Sequence, residues 1–323
     1  MNAAQALTPQ VLELDLAAEA EHICARIRET LARDFRRRGL VVAVSGGIDS
    51  STCLGLAVRA VGAERVFALI MPERDSADDS ALRARELIAH LGVRHAEQDI
   101  APTLEAIGCY RSRDEAVRRV LPEFGAGWKF KIVIAGGTEG RVNAFRLVAR
   151  APDGRQFDQR LRLEEYLQIV AATNFKQRIR KTLEYFHADR LNYAVVGTPN
   201  LLEYDQGFFV KNGDGSADVK PIAHLYKTQV YAMARHLGLP ARVVAAVPTT
   251  DTYSLPQGQD EFYFALPYQQ MDLALWALNA GRSAAELATA LGITESRAAA
   301  IYSDIENKRR STRFLHQSPV LMV

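Results

Sequence analysis

Apolar positions along the chain fall into two alternating periods. Leu16, Ile23, Ile27, Leu31 and Phe35 recur at helical spacing and predict a helix from about Asp15 to Arg38, stopped by Gly39. Leu40 to Val44 is a continuous apolar run, as a strand buried on both faces requires. A glycine-rich turn and a helix from about Ser50 to Val61 follow. Arg65 to Met71 reads as a second buried strand. Ser76 to Leu91 reads as a second helix of this series, opened by Ser76 with Asp78 and Asp79 in its first turn, and Val93 to Asp99 as a third strand. Strands alternating with helices predict an α/β fold with a doubly wound parallel sheet.

The alternation breaks after Pro102. Within residues 109–163, Val142 to Arg150 and Gln156 to Leu163 flank Ala151-Pro152-Asp153-Gly154-Arg155, an Asp-Gly turn signal, and predict an inserted β-hairpin. Helical spacing resumes from about Glu164 to His187, a buried strand is expected over Asn192 to Gly197, and a helix over Lys227 to Leu237, closed by Gly238 and Pro240. Three shorter helices are expected between Leu266 and Arg309. The expected division is a main domain of residues 1–272 and a C-terminal helical extension of residues 273–323.

Composition narrows the classes. Hydrophobic residues make up 48% of the 323 and charged residues 24%, with a net charge of +2, so no global field points to nucleic acid or a membrane. Cys24, Cys53 and Cys109 form no CxxC pair, which fits a reducing compartment and carries no disulfide or metal signature. The first ten residues lack a signal-peptide pattern and no apolar run is long enough to span a bilayer, so a cytoplasmic protein is expected.

The candidate chemistry starts at Ala43-Val44-Ser45-Gly46-Gly47-Ile48-Asp49-Ser50-Ser51, between a buried strand and a helix. Ligands of doubly wound sheets bind at the carboxyl ends of strands. Gly46 and Gly47 let a phosphate approach the backbone, the serines add hydroxyls, and the helix start adds unpaired N–H groups. Asp49 would repel the anion unless a cation intervenes, and a bridging Mg²⁺ resolves this. No lysine follows the glycines, so this is not the GxxxxGK[ST] loop.

The segment resembles the SGGxDS pyrophosphate loop of the N-type ATP pyrophosphatases, which cleave ATP between the α and β phosphates and form acyl-adenylates. Further on stand Val195 to Glu203, Gly207 to Asp218, Lys220-Pro221-Ile222, Leu225 to Gln229 and Pro248-Thr249-Thr250-Asp251, preceded by Asn174 to Arg180. In this order they resemble the GTxN, GFFTKxGDGxxD, PI, LxKxQ, PTAD and NxKARxR segments of the NAD synthetase family. The resemblance covers about residues 40–100 and 164–272. It implies that Ala43, Val44, Ser45, Gly46, Gly47, Ile48, Asp49 and Ser50 hold ATP, and that Asp49 and Glu203 ligate Mg²⁺. It implies adenosine contact for Thr198, and phosphate or adenylate contact for Lys227 and Thr249. Arg178, Lys211 and Asp218 would bind deamido-NAD, with Asp214 nearby; Asp49 and Lys227 would be catalytic. Taken singly, Lys211 and Asp214 read as a solvated turn, Glu203 and Lys227 as surface charges, and Arg178 as an exposed helix face. Their joint order carries the functional reading. Val210 stands for the usual threonine, Pro199 for a glycine or acidic residue, and His316-Gln317 for a closing His-Lys.

The implied reaction is amidation of deamido-NAD by ammonia at the expense of ATP, in a homodimer. No stretch before Leu40 is long enough for a glutamine-hydrolysing domain, and none of the cysteines has a nucleophile's setting, so free ammonia is the expected donor. The inserted hairpin has three possible uses: covering its own domain, the first choice for an apolar hairpin face, lidding the site, or docking a separate glutaminase. A rival reading comes from Ser283 to Ile305, which is patterned like a helix-turn-helix around Gly292. Its second helix carries Arg297 but also Glu295, Asp304 and Glu306, which favours a packed helix pair over a nucleic-acid reader.

Overall fold

The computed structural model describes residues 6–135, 144–247, 253–258, 263–264 and 266–322. Helix α1 spans Leu16–Glu29, with Asp15 accepting the amide hydrogens of Ala17 and Ala18 at its start. It runs into a π turn over Thr30–Phe35 and ends at Arg36 in a left-handed conformation, three residues before the expected stop. Gly39 serves a different purpose: a Cβ there would lie 2.1 Å from the carbonyl oxygen of Arg65, so only glycine lets the first strand enter beside that backbone.

Strand β1 (Leu40–Ala43), helix α2 (Ile48–Val61), strand β2 (Val66–Ile70), helix α3 (Asp78–Leu91) and strand β3 (Arg94–Glu97) follow the predicted alternation. Helix α3 starts two residues later than Ser76 suggested. The Ser76 hydroxyl is occupied in a local turn, accepting the amide hydrogen of Glu73 at 3.0 Å. Helices α4 (Ala101–Ala106) and α5 (Cys109–Val120) lead into an antiparallel sheet of β4 (Lys129–Ala135), β5 (Ala144–Arg150) and β6 (Gln156–Arg160). The hairpin expected through Asp153-Gly154 is β5–β6, with Gly154 at φ +90°. Its third strand went unread, although Phe130 and Ile132 face inward at a period of two between the outward Lys129 and Lys131.

The long helix α6 (Leu163–Leu191) leads to β7 (Ala194–Val196), then α7 (Leu201–Gln206), α8 (Lys227–His236), α9 (Ala241–Val244), α10 (Tyr268–Asn279), α11 (Ala284–Leu291) and α12 (Glu295–Thr312). The main sheet has the order β3-β2-β1-β7, all parallel. Leu40 and Val42 pack with α1, α2 and α8 on one face, whereas Val41 packs with α4, α5 and α6 on the other, which is the doubly wound arrangement. Strand β1 pairs with β2 on one side and β7 on the other. The chain order therefore reverses beside β1, and its carboxyl end is the point where such sheets bind ligands.

Helices α10, α11 and α12 share an apolar cluster with Leu202 of α7, including Leu287, Ala298, Ile301 and Ile305. Two basic residues of α12 tie it to neighbouring elements. Arg309 grips Asp205 of α7 with two hydrogen bonds of 2.8 and 2.9 Å, and Lys308 donates to the Tyr263 carbonyl at 2.6 Å. The α11–α12 pair itself packs through the apolar cluster. Among the described residues, no helix is long and apolar enough to cross a membrane.

Candidate active site

The loop after β1 folds on itself. Ser45 Oγ accepts the amide hydrogen of Gly47 at 3.2 Å, and the Ser50 hydroxyl donates to the Gly47 carbonyl at 3.1 Å. Gly46 has φ +78°, and a Cβ there would meet the Ser80 carbonyl oxygen at 2.2 Å. Gly46 thus lets the loop lie against α3, where its carbonyl accepts from Arg83 Nε at 3.1 Å. The loop leaves the start of α2, with its unpaired N–H groups, open to a cavity of about 1150 Å³.

Of the residues expected at the nucleotide, Ala43, Val44, Ser45, Gly47, Ile48, Asp49, Ser50, Thr198, Glu203 and Lys227 line this one cavity. Gly46 supports it from behind. Thr249 lies outside the described residues. Asp49 projects from the first turn of α2 and meets the Lys227 ammonium in a short ion pair, while its Oδ1 accepts from Asn200 Nδ2 at 2.9 Å. Asn200 also caps α7: its Oδ1 accepts the amide hydrogen of Glu203 at 3.3 Å, and its own amide donates to Glu203 Oε2 at 3.2 Å. One asparagine therefore links the two candidate metal-binding carboxylates.

Lys227 is 1% exposed, far from the surface charge it resembles in isolation. Burial alone would lower its pKa, but the carboxylates of Asp49 and Glu203 hold it above the ordinary lysine value, so it stays an ammonium. Asp272, on α10, accepts the backbone amides of Lys227 and Thr228 and fixes where α8 begins. Burial pushes the Asp272 carboxyl up to about 6, against the pull of those amides and of the Lys227 charge.

The residues expected at the dinucleotide divide. Arg178, Lys211 and Asp214 line the same cavity. Arg178 Nε donates to the Lys211 carbonyl at 3.4 Å. The Lys211 ammonium donates to the carbonyls of Phe314 and Gln317 at 2.8 and 3.0 Å. Asp214 accepts the Val210 amide hydrogen at 2.7 Å within its turn, and burial raises its pKa. Asp218 is not among the cavity residues; its carboxylate accepts from the Val195 amide at 2.7 Å and from the Tyr185 hydroxyl at 3.3 Å. Sequence reasoning gave no role to Asn200 or Asp272, and in the C-terminal segment it singled out His316-Gln317 whereas Phe314 and Leu315 line the cavity. Only Asn200 had a usable signal, the Asn-x-x-Glu spacing of a capping box.

Asp49 and Glu203 fit a Mg²⁺ ion by donor chemistry, since both are hard oxygen ligands joined through Asn200. Among the described residues no group of three or more His, Cys, Asp and Glu side chains forms a ready metal cage.

The sequence model of the NAD synthase family matches residues 19–120 and 148–317, which leaves the approach to β4, β4 itself and the start of β5 unmatched. An NH(3)-dependent NAD(+) synthetase of Rhizobium meliloti (strain 1021) is 56% identical over 313 residues, 96% of this chain and 93% of that protein. Among solved structures, the NMN synthetase of Francisella tularensis superposes with a TM-score of 0.67 at 20% identity, covering 96% of this chain and 99% of that one. The NH3-dependent NAD synthetase of Campylobacter jejuni superposes with a TM-score of 0.62 at 22% identity, covering 96% and 100%. At such identities the two structures speak to the fold alone. With the family match running over most of the chain and a relative of such identity along nearly its whole length, the protein belongs to the NAD synthase family.

Proposed function

We propose that the chain amidates deamido-NAD with ammonia, forming NAD while ATP is cleaved to AMP and pyrophosphate through an acyl-adenylate. The observation that carries this reading is the meeting of Asp49, Asn200, Glu203 and Lys227 at the end of β1, in a cavity that also reaches Arg178 and Lys211. The names of the relatives, NH(3)-dependent NAD(+) synthetases, give the same product and the same nitrogen source.

In this reading the loop of residues 43–50 and the start of α2 receive the ATP phosphates, and Thr198 meets the adenosine. Asp49 and Glu203 would hold Mg²⁺, which when bound would neutralise phosphate charge and support departure of pyrophosphate. Lys227 transfers its ammonium from Asp49 to phosphate oxygens, where charge builds as the α–β bridge breaks. Arg178 and Lys211 orient the dinucleotide so that its nicotinate carboxylate faces the α-phosphorus, and ammonia then displaces AMP from the mixed anhydride. The enzyme acts as a homodimer with free ammonia as donor, a separate glutaminase being the other route by which ammonia is supplied.

Purified protein incubated with ATP, Mg²⁺, ammonium and a panel of carboxylic acids tests the reading. AMP, pyrophosphate and NAD should form together with deamido-NAD, and not with unrelated acids. AMP release that ignores deamido-NAD, or none at all, overturns it.

A further inference from the structure

Five charged or polar side chains form a buried knot beneath the cavity floor. The Lys176 ammonium donates to Glu73 Oε1 at 2.9 Å and to Asp75 Oδ2 at 2.7 Å. Arg113 reaches the same Asp75 oxygen at 2.5 Å, and the Tyr110 hydroxyl donates to Glu73 Oε2 at 2.9 Å. All but Asp75, which is nearly so, are buried. Burial alone would raise Asp75, but Lys176 and Arg113 hold its carboxyl below the ordinary range, so the knot is ionic.

Such a knot is a poor way to gain stability. Taking these charges out of water offsets most of their attraction, and apolar residues of similar volume often serve as well. Its location suggests another use. Glu73 and Asp75 belong to the segment after β2, whose Pro72 and Ser76 line the cavity beside the phosphate loop. Lys176 belongs to α6, where Asn174, Gln177 and Arg178 line the same cavity on the dinucleotide side. The segment is tied further by Tyr110, which receives the Arg74 amide hydrogen at 3.4 Å and carries the Arg74 guanidinium 3.8 Å above its ring.

We propose that Lys176 is a positioning residue: clamped between Glu73 and Asp75, its ammonium fixes the distance and angle between the nucleotide side and the dinucleotide side of the cavity. This rests on the two-substrate reaction proposed above. Joining two bound substrates depends on alignment within fractions of an ångström, and a misplacement of about 1 Å can cost on the order of a hundredfold in rate. Loosening the knot leaves each half-site whole but lets them drift against each other.

The test compares Lys176→Met and Tyr110→Phe with the unaltered protein. We expect kcat to fall about tenfold to a hundredfold for Lys176→Met and less for Tyr110→Phe, with the KM values for ATP and deamido-NAD each within about threefold. Amide hydrogen exchange in segment 72–76 should quicken while that of β1 is unchanged. Unchanged kcat per folded molecule, whatever the melting temperature, overturns the proposal. So does a tenfold rise in one KM alone, which would mean that Lys176 touches that substrate. If Lys176→Met does not fold, Tyr110→Phe decides by the same criteria. If the unaltered protein makes no AMP, the proposed reaction falls, while exchange in segment 72–76 still shows whether the knot holds it: slow exchange that Tyr110→Phe does not change overturns the positioning role.

Discussion

Asp272 holds Lys227 from behind: its Oδ1 accepts the Lys227 amide hydrogen at 3.1 Å, while the side chain of the same lysine runs forward to Asp49. A carboxylate on α10 thus sets the starting point of the cation at the end of β1. Its partner oxygen takes the Thr228 amide at 2.7 Å, so an unpaired acceptor pair at α10 meets the unpaired donors at the start of α8.

The first prediction concerns Asp272→Asn and pH. Burial raises the folded carboxyl to about 6, above its unfolded value, so its contribution to stability is fullest at low pH and falls as pH rises through that window. Asparagine does not titrate. The stability of the unaltered protein relative to Asp272→Asn should therefore fall by about 2 kcal/mol between roughly pH 4.5 and pH 7. Denaturant melts of both proteins across that range check the sign; a constant difference sinks the prediction.

Asp49→Asn and Lys227→Met should each lower kcat by on the order of a hundredfold or more, because the first would weaken the proposed Mg²⁺ site and the second removes the ammonium expected where phosphate charge develops. Lys227→Met keeps the buried volume and removes only the ammonium. Far-ultraviolet circular dichroism should be unchanged. Near-normal rates in both variants would remove these residues from the chemistry.

Lys211→Met should raise the KM for deamido-NAD about tenfold and leave that for ATP within about twofold, as expected for loss of one charge-assisted contact to one substrate. Initial rates with each substrate varied in turn decide this. Equal rises in both constants would place Lys211 outside the dinucleotide subsite.

All three cysteines are buried, and burial raises each thiol: Cys109 to about 11 and Cys53 well above its ordinary value. A thiol-modifying dye should find no fast-reacting group in the folded protein and all three after unfolding. Glutamine, freed of contaminating ammonium, should support no NAD formation by the isolated chain. Rapid labelling of one native thiol, with loss of glutamine-driven turnover, would contradict both statements.

A fifth prediction is that duplex DNA does not bind in a salt-dependent manner. Lys308 and Arg309 of α12 already hold Asp304, the Tyr263 carbonyl and Asp205, and Arg297 stands beside the acidic Glu295. A retardation assay at low and moderate salt should show no complex at micromolar protein; a complex lost with added salt would revive the helix-turn-helix reading.

The main sheet was legible because β1, β2 and β7 are unbroken apolar runs and its loops carry glycine where backbones pass closely; the polar edge strand β3 was read from the alternation of strands and helices. Ser45, Gly47 to Ser50, Glu203 and Lys227 were singled out from ordered motifs, and the fold brings them to one cavity. What escaped notice depends on long-range pairing. Nothing near Asp272 in sequence indicates that it meets α8, forty-five positions earlier. Lys176 reads as one more cation on a helix until Glu73 and Asp75 are placed beside it. Strand β4 carried a period-two signal but lay beside a glycine-rich stretch that broke the pattern.

The Asp49–Lys227 contact has a consequence for discrimination among anions. A buried ammonium already neutralised by a carboxylate gains nothing from a weak or singly charged visitor, since any new partner must outbid the old one. Under the proposed function, a polyphosphate with its own divalent cation would offer both halves of an exchange, since Lys227 would meet the phosphate and Asp49 would hold the cation. In that reading the resting pair would therefore favour a ligand able to give Asp49 a cation while it takes the Lys227 ammonium.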